Sequence, residues 1–293
     1  PVSFRIPASE RPHPAMPAPK KNIVWLASYP KSGNTWTRIF LANYLFKRET
    51  PMPINEVHRL GMGDSIAKTY RMVAGRPIDS TDPQAMARLR PAVLRAIAAN
   101  GADVNLVKTH NIRGFAFGTE LIPPNLTRAA VYILRNPLDL VLSYSRHYGD
   151  SLEETVERIA RTDNSVAGDS ESVPQFLGSW SEHVKSWTKP ARFPVLVLRY
   201  EDLHAAPEES FTKLLEHLGV PVEAERLARA IRFSSFDEVS RQETEHSFIE
   251  KSAVAERFFT SGRTGQWHDL LSPQLVDRIR RDHRKVMKQY GYL

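Results

Sequence analysis

Three short segments carry basic residues beside hydroxyl or imidazole groups, in an order that suits anion chemistry. The first is Tyr29-Pro30-Lys31-Ser32-Gly33-Asn34-Thr35-Trp36. An apolar run precedes it and a helical pattern follows, so backbone N–H groups and the positive end of a helix dipole face one point. Gly33 admits an anion close to the main chain, Ser32 and Thr35 add hydroxyl donors, and Lys31 adds a full charge. The second segment is Lys108-Thr109-His110, in which an ammonium lies two residues from an imidazole that titrates near neutral pH. The third ends an apolar run in Arg135, whose planar fork suits phosphate oxygens, and Ser143 lies eight residues on.

The loop differs from that of the nucleoside triphosphatases, G-x-x-x-x-G-K-[ST], in which lysine follows glycine. Here Lys31 precedes Gly33 and the loop is shorter, which fits one phosphate better than a β/γ pair. A nucleotidase would also end its third strand in an aspartate for Mg²⁺. This chain has Arg135 there, so the residues describe an anion site that needs no metal.

The elements that must hold these groups alternate. Apolar runs at 22–28, 103–108, 129–134 and 195–198 read as buried strands. Helical patterns cover 34–46, 83–100, 151–162, 173–188, 207–218 and 223–231, and another helix starts after Pro137. Such alternation predicts an α/β fold, a central parallel sheet flanked by helices. Ligands of such sheets gather at the carboxyl ends of the strands, and the four runs end near Lys31, Lys108/His110, Arg135 and Tyr200. The stretches 51–82 and 162–173 lack periodicity and read as irregular loops.

The chain has 293 residues, 41% of them hydrophobic and 25% charged, enough for one large core. No apolar run reaches membrane-spanning length. The absence of cysteine removes disulfides and zinc–thiolate sites and fits a reducing, cytoplasmic setting. A net charge of +7 suits an anionic partner. Its densest basic cluster, Arg278–Lys288, reads as a solvated helix face. Residues 1–20 hold six prolines and no apolar signal core, and read as a flexible arm before a single domain at 21–293.

Four segments in order resemble the PAPS-dependent sulfotransferases, enzymes that use 3′-phosphoadenosine 5′-phosphosulfate as donor and release 3′-phosphoadenosine 5′-phosphate (PAP). Tyr29–Trp36 is similar to their 5′-phosphosulfate loop, and Tyr132–Asp139 with Ser143-Tyr144 to their 3′-phosphate motif. Leu198-Arg199-Tyr200-Glu201-Asp202-Leu203 and Gly262-Arg263-Thr264-Gly265-Gln266-Trp267 resemble two further family segments. The resemblance spans roughly residues 22–270, looks most like short bacterial members, and implies the P-loop NTPase-like sulfotransferase fold. It implies His110 as general base, with Lys31 and Lys108 stabilising charge on the transferring group. It also implies donor contacts from Lys31, Ser32, Gly33, Asn34, Thr35, Trp36, Arg135, Ser143, Tyr200, Ser234, Phe236, Ser261, Gly262 and Arg263, with no metal. Thr260-Ser261-Gly262 stand where well-studied cytosolic members carry Arg-Lys-Gly, so this end of the donor site departs from the pattern. The implied acceptor is a hydroxyl or amine of a small molecule, natural product or glycolipid, and no nucleic acid or membrane span is expected.

Two other readings have their own discriminators. A P-loop kinase would bind ATP with Mg²⁺, and the lysine position and Arg135 oppose it. A nucleic-acid-binding module with an inactive nucleotide site would show steeply salt-dependent DNA affinity.

Overall fold

The computed structural model describes residues 20–293 of the chain, so the arm expected at 1–20 lies almost wholly outside the described residues. In chain order the strands are β1 (Ile23–Ser28), β2 (Met62–Gly63), β3 (Asn105–Thr109), β4 (Phe115–Ala116), β5 (Thr119–Glu120), β6 (Thr127–Leu134), β7 (Ser165–Val166), β8 (Gln175–Phe176) and β9 (Val195–Arg199). Five of them form one sheet in the order β2-β3-β1-β6-β9, and each neighbouring pair is parallel. Two antiparallel ribbons, β4-β5 and β7-β8, stand apart from it.

Alternation along the strands sends side chains to opposite faces. Leu26, Val131 and Ile133 face one core with Phe40, Leu41, Phe211 and Leu214, which come from α1 (Asn34–Leu45) and a later helix, Pro207–His217. Trp25, Ala27, Ala130, Tyr132 and Leu134 face the other core. Helices α2 (Ala67–Ala74), α3 (Pro83–Ala98), α4 (Pro137–Tyr148), α5 (Leu152–Ala160) and α6 (Trp180–Thr188) follow α1 in the chain. After β9 come α7 (Tyr200–Ala205), α8 (Pro207–His217), α9 (Ala224–Phe233), α10 (Phe236–His246), α11 (Trp267–Leu270) and α12 (Pro273–Gln289). Among the described residues no helix is long and apolar enough to cross a membrane.

Registers place the strand tips side by side: Ala27 lies opposite Thr109 on β3 and Tyr132 on β6, and Leu134 opposite Arg199 on β9. The expected strands and most helices are present with shifts of a residue or two. Two expectations need correction. The helix expected at 173–188 starts at Trp180, because Ser179 and Glu182 form a capping box. Ahead of it the chain runs extended, with Val173 N–H bonded to Ser65 O and Leu177 N–H to Asn164 O. The stretch 51–82 is also ordered: it holds a 3₁₀ turn (Ile54–Leu60), β2 and α2. Asp64 secures it. Its Oδ2 accepts from Arg90 Nη2 at 2.5 Å, Thr109 Oγ1 at 2.6 Å and Asn111 Nδ2 at 3.1 Å.

Candidate active site

The β1–α1 turn is shaped by two left-handed residues, Lys31 (φ 68°) and Gly33 (φ 104°). Alternating handedness turns successive N–H groups toward a common concavity, a nest for an anion. Gly33 is also required by space, since a Cβ there would come within 2.7 Å of Tyr200 Cδ2. Asn34 locks the turn from beneath, donating from Nδ2 to Leu26 O at 2.8 Å and accepting from Arg38 Nε at 3.2 Å.

His110 follows the tip of β3. Its Nδ1 lies 2.8 Å from Ser28 O, and a carbonyl only accepts, so Nδ1 carries the proton. The lone pair is thereby left on Nε2. The backbone is braced too: His183 Nε2 donates to His110 O at 3.0 Å, and Tyr132 Oη donates to His183 Nδ1 at 2.9 Å. Trp187 Nε1 donates to Asn111 O at 3.1 Å. An imidazole so fixed in tautomer and position suits proton abstraction.

Arg135, at the tip of β6, donates from Nη1 to Lys31 O at 2.9 Å and lies over the Tyr200 ring, 4.3 Å from its centroid. Its Nε is buried without a partner, as is Ser32 Oγ beneath the nest. Glu201 steadies this corner: Oε1 accepts from Asn136 N–H at 2.9 Å and Oε2 from Tyr292 Oη at 2.8 Å.

These groups enclose one cavity of about 410 Å³ at the carboxyl edge of the sheet. Lys31, Lys108, His110 and His147 line it, as do Arg135, Ser143, Arg146 and Tyr200. Gly33, Asn34, Thr35, Trp36, Ser234, Phe236, Ser261 and Gly262 complete the expected wall. Two expected contacts lie elsewhere. Ser32 is buried under the turn, and Arg263 is exposed outside the wall, beyond the left-handed turn at Gly262 (φ 58°). The Ser234 hydroxyl is already committed to Ala230 O at 2.9 Å, so it contributes shape rather than a free donor. Trp36 packs edge-on to Tyr200 and Phe211 with one side toward the cavity.

Glu250 was not expected here. Its carboxylate takes two contacts from Arg38 Nη2, at 2.8 and 2.7 Å, one from Thr35 Oγ1 at 3.2 Å, and one from Lys108 Nζ at 3.4 Å. Burial alone would raise its pKa, but Lys108 and Arg38 outweigh that and hold it well below the usual carboxylate range. No local signal marks it: Glu250 lies in an aperiodic stretch 212 residues from Arg38 in sequence. Phe258 is a second addition, its ring centroid 3.6 Å from Lys31 Nζ.

The field inside is positive. Burial, then Arg135 and Lys108, lower the Lys31 pKa to about 7. Burial also lowers Lys108, with Glu250 opposing. Burial and then Lys108 lower His110 to about 3, so its imidazole is neutral at pH 7. His147 is lowered to about 3 by burial, Lys31 and Lys108. A cavity that makes its own cations costly to charge is complementary to a polyanion.

The sulfotransferase-domain family profile matches residues 21–291. The chain belongs to that family. Among sulfotransferase relatives, flavonol 3-sulfotransferase of Flaveria bidentis is 27% identical over 88% of this chain and 79% of its own length. Rat sulfotransferase 1A1 is 25% identical over 89% of this chain and 83% of its own. Solved neighbours share the sulfotransferase fold at low identity. A mouse sulfotransferase complexed with PAP superposes with a TM-score of 0.59 at 20% identity, covering 92% of this chain and 85% of that one. Retinol dehydratase in a complex with retinol and PAP gives 0.62 at 17%, covering 92% and 82%.

Proposed function

We propose that this sulfotransferase moves a sulfuryl group from PAPS to a hydroxyl or amine of a small-molecule, natural-product or glycolipid acceptor. The observation that carries the reading is the fixed tautomer of His110, which presents a bare Nε2 in a cavity it shares with Lys31 and Lys108. The backbone nest and Lys31 suit the donor's 5′-phosphosulfate, and Arg135 with Ser143 suits its 3′-phosphate. The buried and unpartnered Arg135 Nε is what an anion-binding wall would leave open.

In the proposed reaction His110 Nε2 takes the acceptor proton as the acceptor atom bonds to sulfur. The bond from sulfur to the bridging oxygen breaks, and its electron pair stays on that oxygen as PAP leaves. Lys31 neutralises the charge developing there, and Lys108 faces the sulfuryl oxygens. Positioning and electrostatics supply the rate, so the step resembles phosphoryl transfer in its demands.

The test is an acceptor screen with labelled PAPS, run on wild type, His110→Ala and Arg135→Ala. We expect turnover to drop by about 10²–10⁴-fold in His110→Ala, the usual weight of a general base. Arg135→Ala should chiefly weaken PAP binding. Near-normal turnover in His110→Ala would refute the base assignment.

A further inference from the structure

We propose that Arg146 is a second cation for the donor's 3′-phosphate, acting beside Arg135 and Ser143; this rests on the donor reading above.

The argument starts from helix geometry. Asp139, Ser143 and Arg146 are spaced i, i+4, i+7 on α4 and share one face. Asp139 shows what that face packs against. Its Oδ2 accepts from Gly265 N–H at 2.6 Å and its Oδ1 from Trp267 N–H at 3.1 Å, so the 262–267 segment is seated on α4. Ser143 and Arg146 therefore point into the space roofed by Ser261 and Gly262, and all four line the cavity.

Charge gives the second strand of the argument. Burial and then Arg135 lower the Arg146 pKa, so the two guanidinium groups feel each other. Among the described residues no carboxylate pairs with Arg146 and no hydrogen bond holds its side chain, whereas Arg38, Arg90 and Arg158 each have an acidic partner. Two like charges converging on a cavity, with no carboxylate among the described residues paired to either, are unfavourable unless an anion joins them. A phosphate monoester carries close to two negative charges at neutral pH, which one guanidinium only half neutralises. Neither Ser261 nor Gly262, on the roof, brings a charge.

The test compares PAP with adenosine 5′-monophosphate, which lacks the 3′-phosphate. Calorimetry is run on wild type, Arg146→Gln and Arg146→Lys. Arg146 lines the cavity while its side chain stays exposed, so the variants should fold, and thermal unfolding checks that they do. Expected is a roughly 10- to 30-fold weaker affinity for PAP in Arg146→Gln, the scale of a charge-assisted bond at a partly exposed group. Adenosine 5′-monophosphate affinity should change less than about twofold, because the ligand has nothing for Arg146 to hold. Arg146→Lys should recover part of the loss, having the charge without the fork. Equal weakening of both nucleotides, or none of either, would overturn the assignment. A wild-type protein that does not prefer PAP over the monophosphate would instead sink the donor reading, so the two failures are separable.

Discussion

If Lys31 has a pKa near 7 in the free protein, PAP binding must draw in a proton. At pH 8 such a group is about 0.9 neutral, and at pH 6 about 0.1. A single negative charge of the phosphate brought within about 4 Å at an effective dielectric of about 20 stabilises the ammonium by roughly 4 kcal/mol, or about 3 pKa units. The bound pKa then lies near 10, and Lys31 is charged at every working pH. Binding should take up about 0.9 proton at pH 8 and about 0.1 at pH 6, and PAP affinity should fall by about tenfold per pH unit above 8. Phosphate groups, with second pKa values of about 6, are already ionised at pH 8 and do not mask the signal. His110 would need a shift of several units to contribute. Lys108, also lowered, adds in the same direction. The assay is calorimetry at pH 8 in buffers of different ionisation enthalpy, where the slope of apparent enthalpy against buffer enthalpy counts protons. An uptake below about 0.3 with binding intact refutes the reasoning. So does an unchanged uptake in Lys31→Met.

Two further perturbations test the surroundings. Glu250→Gln leaves Arg38, whose side chain is only 8% exposed, without its counter-charge and should cost about 1–3 kcal/mol in denaturant unfolding at pH 7. Because the folded pKa of Glu250 is depressed, its contribution is present above the unfolded value of about 4.3 and is lost as pH falls toward the folded one. The gap between wild type and variant should therefore narrow at pH 3, and equal stability at pH 7 would contradict the ion pair. Gly262→Ala places a methyl 2.3 Å from Phe236 Cδ2 at a backbone φ of 58°, so the cavity roof must shift. We expect PAP affinity to fall at least about tenfold, with a stability loss of about 1–2 kcal/mol, measured by calorimetry and thermal unfolding. Unaltered PAP affinity would show that the roof does not contact the nucleotide.

Legibility in the sequence followed the range of the forces involved. The β1–α1 turn could be read because a buried strand, a glycine and a helix start are local signals. The convergence of Lys31, Lys108, His110, Arg135 and Tyr200 could be read because parallel strands put all their carboxyl ends on one edge. Boundaries suffered where tertiary contacts overrode pattern. The extended run 173–178 reads as helix from its sequence because the groups that hold it, Ser65 O and Asn164 O, lie outside the segment. Asp64 and Glu250 were invisible for the same reason. Each is a single carboxylate in a stretch without periodicity, and its meaning comes only from arginines that the fold delivers. Arg263, a donor contact that the resemblance implies, stands outside the cavity wall, since a position in sequence does not fix the direction of a side chain after a left-handed turn.

The strand order has a consequence for biogenesis. β1 sits at the centre of the sheet, yet its two partners begin at Asn105 and Thr127. During synthesis the wholly apolar Ile-Val-Trp-Leu-Ala core of that strand emerges first and waits, its ladder unfilled, for about a hundred residues or roughly 5–20 s of translation. Such non-local pairing makes for slow collapse and a sticky nascent chain. A ribosome stalled before Thr127 should therefore display a chaperone-binding segment where the finished enzyme displays none.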